Sequence, residues 1–159
     1  MLAALATPAL AQNSATATAS ATTTIIQPIS ISKSTDLAFG TIVKPSSGTS
    51  TVSVSSAGVR TIVGTAVAAN ATGVSRALFN VTGEGASVFS ISVPTSFSMT
   101  SGANSLVVTT AASATSATLS GSLGAQGSAS FGVGGSFLLA SNTASGAYSG
   151  NFVVTVTYN

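Results

Sequence analysis

Only two carboxylates, Asp36 and Glu84, are available for acid–base work anywhere in the chain. Hydrolysis by paired carboxylates needs two acids flanking one bond, and both of these fall in predicted turns. The sequence contains no His and no Cys, so a serine nucleophile has no imidazole to activate it and a metal has no cluster of ligands. The abundant serines and threonines therefore read as uncharged, solvated surface. Gly83-Glu84-Gly85 and Gly132-Val-Gly134-Gly135 have the composition of phosphate loops, but neither precedes a predicted helix as such loops must. They read as a turn and a bulge. Asn70-Ala-Thr72 and Asn80-Val-Thr82 match the glycosylation sequon, a pattern that arises readily in a Thr-rich chain. The expectation is a protein that is not an enzyme, with no catalytic, cofactor-binding or metal site and no cofactor.

Charge is the outlying property. Lys33, Lys44, Arg60 and Arg76 are the basic residues, and from Gly85 to Asn159 no side chain is charged. Nucleic-acid binding needs clustered Lys and Arg to neutralise phosphates, so no nucleic-acid partner is expected. A surface so poor in charge resists association weakly, which suits a chain that packs against copies of itself. Without Cys there is no disulfide from which to read a redox compartment.

The elements that would position any site are strands. Residues 1–11 read as the tail of a signal peptide, apolar and small, with Pro8 ahead of an Ala9-Leu10-Ala11 cleavage pattern. Residues 12–24 form a low-complexity leader in which Ala15, Ala17, Ala19 and Ala21 alternate with Thr16, Thr18, Ser20 and Thr22. Period two is a strand signal, but Ala buries little. A disordered leader and a strand that forms only when a partner sheet accepts it both remain open. Residues 25–159 read as one domain of many short strands spaced by Gly, Pro, Ser and Asn, which points to an antiparallel β-sandwich. Its expected core includes Phe39, Ile62, Phe79, Val81, Ile91, Phe131, Phe137, Phe152, Val154 and Val156. A bulge or bend is expected at Gly134-Gly135. No run after the signal reaches the ~20 apolar residues of a spanning helix, so no membrane span is expected after cleavage. A small outer-membrane barrel would need aromatic girdles, and seven Phe, two Tyr and no Trp do not supply them.

The most informative stretch is the C-terminus, Tyr148-Ser-Gly150-Asn-Phe152-Val-Val154-Thr-Val156-Thr-Tyr158-Asn159. Phe152, Val154, Val156 and Tyr158 share one face of a predicted strand, the cleanest in the chain. Tyr148, at the entry to that strand, is placed for a corner hydrogen bond back to nearby backbone. This strand with its penultimate Tyr resembles the last strand of chaperone–usher fimbrial subunits. Leu37-Ala-Phe39-Gly40-Thr resembles the first-strand motif of those pilins and of spore-coat-U-type secreted domains. The stretch from Phe131-Gly-Val-Gly-Gly-Ser to the end is similar to a secreted domain family of unknown function common in alphaproteobacteria. The resemblance implies an immunoglobulin-like sandwich that lacks one strand, completed by β-augmentation from the next subunit. On that reading residues 12–24 are the donor segment, and the receiving site lies beside Phe152, Val154, Val156 and Tyr158. The partners would be copies of the chain itself, with a periplasmic chaperone and an outer-membrane usher during export to the cell surface. The chain departs from many pilins in having no Cys pair and in offering alanines where their extensions place large hydrophobes. A self-contained adhesin or glycan-binding module, with Tyr148 as its aromatic, is the alternative.

Overall fold

The computed structural model describes residues 13–159; the expected signal remnant, residues 1–11, and Gln12 lie outside the described residues. Fourteen strands follow in chain order, with no helix among the described residues: β1 Ser30–Thr35, β2 Ala38–Phe39, β3 Ile42–Val43, β4 Thr49–Val54, β5 Arg60–Val63, β6 Val67–Ala68, β7 Val74–Ser75, β8 Ala77–Glu84, β9 Val88–Ser92, β10 Ser96–Ser101, β11 Asn104–Ala112, β12 Ser116–Thr118, β13 Gln126–Ala140 and β14 Thr155–Tyr158. Every pairing is antiparallel. The expected all-β sandwich is the observed architecture.

The larger sheet is organised by β13. Its first half pairs with β8, which carries β1 on its far edge. Its second half pairs with β4 and with β11 at the same residues, Gly135 to Phe137, so these two strands lie on its opposite edges. Beyond them lie β5 and β10. A smaller sheet, β12-β9-β14, forms the opposing layer. The bulge expected at Gly134-Gly135 does not occur, because the register through β13 is unshifted. These glycines serve close approach instead. A Cβ on Gly134 would lie 2.2 Å from the carbonyl oxygen of Val54, and one on Gly132 2.2 Å from that of Ser56.

Alternation along the strands sorts the core. In β8, Ala77, Phe79 and Val81 are buried, as are Phe131 and Val133 of β13 and Phe89 and Ile91 of β9; with Leu119 they form one cluster between the sheets. A second cluster gathers Phe39, Val52, Val54, Ala66, Val108, Phe137 and Leu139 under the other half of the large sheet. Burying each such side chain contributes about 1.5–3 kcal/mol. Four expected core residues are only half-buried: Ile62, Phe152, Val154 and Val156. Ile62 sits on β5, which pairs with β4 alone. The other three sit on the terminal stretch, where one flank is uncovered.

Candidate assembly groove

The terminal stretch changes partners as it crosses the molecule. Ser149 exchanges both backbone hydrogen bonds with Thr100 of β10, at 2.8 and 3.0 Å. Six residues later the chain has joined β9, with Thr155 opposite Ser92 and Tyr158 opposite Phe89. Between these points β9 passes into β10 through Val93-Pro94-Thr95, and Pro94 offers no N–H. Phe152 to Val154 therefore lack ladder partners, and the strand expected over the whole stretch is regular only at Thr155–Tyr158.

The other edge of β14 has no strand against it among the described residues. Asn159 donates its N–H to the Val88 carbonyl at 3.1 Å. Antiparallel pairs alternate between bonded and non-bonded, so Thr157 and Thr155 bond to β9 while the N–H and C=O of Val156 and Tyr158 point to the open edge. The Ile91 N–H agrees, since it donates away from β14 to Thr115. The side chains of Phe152, Val154, Val156 and Tyr158 all pack inward on the first core cluster. Phe152 also links the two clusters, with ring centroids 6.4 Å from Phe79 and 4.9 Å from Phe97.

A groove of about 870 Å³ opens beside the start of this stretch, between residues 37–44 and residues 143–148. Phe39, Ile42, Met99, Leu106, Phe137 and Leu139 give it an apolar lining. Lys44 Nζ donates across it to the Thr143 carbonyl at 3.1 Å. The Tyr148 hydroxyl donates to the Ala144 carbonyl at 2.9 Å, the backward tie expected of a corner tyrosine. Leu37 lies in the groove wall and also packs on both clusters.

The leader is the complement of this surface in one respect: its residues 13–26 are exposed and in no strand, Ala15, Ala17, Ala19 and Ala21 included. Ile25, 85% exposed, and Ile26, 46% exposed, follow the alanines. Anchoring begins at Gln27. Its N–H donates to Glu84 Oε2 at 3.0 Å, and its carbonyl accepts the Tyr158 hydroxyl at 2.9 Å. The same hydroxyl accepts the Glu84 N–H at 2.6 Å, and Glu84 Oε1 accepts the Gly124 N–H. Glu84 is thus a buried strand-end residue, 1% exposed, and not the turn residue expected. Its charge is satisfied by backbone donors, the condition for burying a carboxylate at tolerable cost. Gly83 makes room for this arrangement: a Cβ there would lie 2.2 Å from the Tyr158 oxygen. The sequence signal for this cluster was a lone Glu between two glycines, which reads equally well as a turn.

A family model described as a domain of unknown function (DUF4402) matches residues 29–158, most of the chain, and the chain belongs to that family. No curated protein and no solved structure matches it.

Proposed function

We propose that this DUF4402 domain is a structural subunit of an extracellular appendage, fimbria-like, or of a surface layer, and that copies join by strand donation. The observation that carries the reading is the open edge of β14, where the outward N–H and C=O groups of Val156 and Tyr158 have no strand against them among the described residues. The apolar groove lies at the other end of the terminal stretch, beside Tyr148. The same chain carries an exposed, unpaired segment of strand-like alternation ahead of Gln27. An uncharged open edge is an aggregation hazard unless something covers it, and β-augmentation covers it with main-chain hydrogen bonds and alternate side chains. The donor is residues 12–24 of another copy, with the face of Ala15, Ala17, Ala19 and Ala21 turned inward. Such a subunit is exported, with a periplasmic chaperone holding the open edge and an outer-membrane usher delivering the polymer. The adhesin reading draws less support, because the Tyr148 hydroxyl is already engaged by Ala144.

The test is electrophoresis of the exported, processed protein in detergent before and after boiling. Strand-exchanged polymers are expected as a ladder that collapses on boiling. Removal of residues 12–24 is expected to leave a folded monomer and no ladder. A ladder that survives the deletion refutes donation by this segment, and an intact protein that never forms one makes the self-contained surface module the better reading.

A further inference from the structure

A second surface, separate from the groove, has the properties of a contact between copies. Opposite β14, the large sheet turns its outer face to solvent over β5, β4, β13, β11 and β10. Register places Val63 opposite Thr51, Thr51 opposite Leu138, and Val107 opposite Ser98. Leu138 stands one step beyond the Val108–Phe137 pair and so faces Val107. Directly opposed residues share a face, so one row crosses the sheet with Val63 65%, Leu138 64% and Val107 61% exposed. The remaining outward positions of these strands are Ser, Thr, Ala and Gly, with Gln126 at the far end of β13, and none is charged. Arg60, the one charged residue in the five strands, turns inward to the Phe39 carbonyl at 2.9 Å. Beside the row lies a shallow depression of about 420 Å³, bounded by Thr51, Val107, Thr109, Ser136 and Leu138.

We infer that this face docks a second copy of the chain, related by a two-fold axis, with Leu138 of each copy seated in the depression of the other. An isologous contact requires one patch to be complementary to itself. A protruding Leu next to a hollow, in a row with no charged side chain to repel its own image, meets that requirement. Arg76, farther along β13 beside Gly132, is held by the Ser56 carbonyl. Five strands at ~4.8 Å spacing and about five residues of length cover roughly 400 Å². That is about half of what each partner buries in a stable dimer. The contact is therefore weak for a single pair and becomes effective when many copies are held in line, because each engaged pair raises the effective concentration of the next. It is lateral, and its strength in arrays rests on the proposed strand donation that holds copies in line, although the surface itself is separate from the open edge.

Because the chain has no Cys, the geometry can be read by cross-linking. In the processed full-length protein, Leu138→Cys is expected to give a disulfide dimer under mild oxidation. Ser130→Cys, outward on the same strand but away from the depression, is expected to give none. Leu138→Lys is expected to abolish concentration-dependent association in native sedimentation while leaving the detergent ladder, which reports donation alone, as it was. Equal cross-linking at both positions, no dimer through Leu138→Cys, or unchanged sedimentation of Leu138→Lys would each overturn the inference.

Discussion

At the scale of single residues, Tyr158 is the most connected side chain of the terminal stretch. One hydroxyl accepts from Glu84 and donates to Gln27, so it joins the end of β8, the root of the leader and the last strand. Tyr158→Phe removes both bonds and leaves the Glu84 N–H and the Gln27 carbonyl short of a partner. At about 1–3 kcal/mol for an unsatisfied buried group, thermal unfolding is expected to shift down by several degrees; an unchanged midpoint would show that water replaces the hydroxyl. Gly83→Ala attacks the same point sterically. Its new methyl must displace the Tyr158 oxygen, and overpacking of this kind costs about 1–3 kcal/mol. The double variant Gly83→Ala/Tyr158→Phe is expected to lose less than the sum of the two single losses, since the oxygen in the way is gone. Strict additivity in denaturant titrations would contradict that coupling. None of this was legible beforehand, because a penultimate Tyr and a Gly-flanked Glu become partners only through a fold that brings positions 74 residues apart together.

At the scale of elements, the alternation of large residues with Ser, Thr and Gly marked most strands, and six of the ten expected core residues are buried. What it could not mark was partner geometry. Phe152 and Val154 alternate as well as Val156 does, yet only Thr155–Tyr158 has a regular partner, because β9 ends before Pro94. Nor could it separate glycines that bend a strand from those that let another backbone approach. Gly134 belongs to the second kind, so Gly134→Ala is expected to destabilise the domain severely, its methyl meeting the Val54 carbonyl. Native-state hydrogen exchange offers a ranking. Amides of β13 from Val133 to Phe137, with β11 on one edge and β8 then β4 on the other, are expected to exchange slowest, and residues 13–26 at the unprotected rate. Protection of residues 13–26 in dilute monomer would mean that the leader already occupies a groove, in its own molecule or another.

At the scale of the whole molecule, the scarcity of charge was plain from the sequence, but its placement was not. The charged side chains lie around the joints of the sandwich. Lys44, Arg60 and Arg76 each donate to a backbone carbonyl of another segment, Glu84 is buried, and only Lys33 and Asp36 pair at the surface. Ionic groups here hold loops together and leave the broad faces neutral. Association of copies, through either the open edge or the outer face, is then expected to change little between about 0.05 and 0.5 M salt, a range over which charge-driven contacts weaken markedly. Light scattering across that range checks it; a steep loss with salt would assign the contact to Lys33 and its neighbours.

The tie at Gln27 also has a mechanical meaning. A pull on the leader is not delivered first to the hydrophobic interior. It arrives at Gln27, whose carbonyl and N–H pass it to Tyr158 and Glu84, and so to the strand beside the open edge and to the end of β8. Tension entering through the leader and leaving through whatever grips β14 would run along one margin of the domain, so the two large clusters of side chains could stay at rest while the chain carries load.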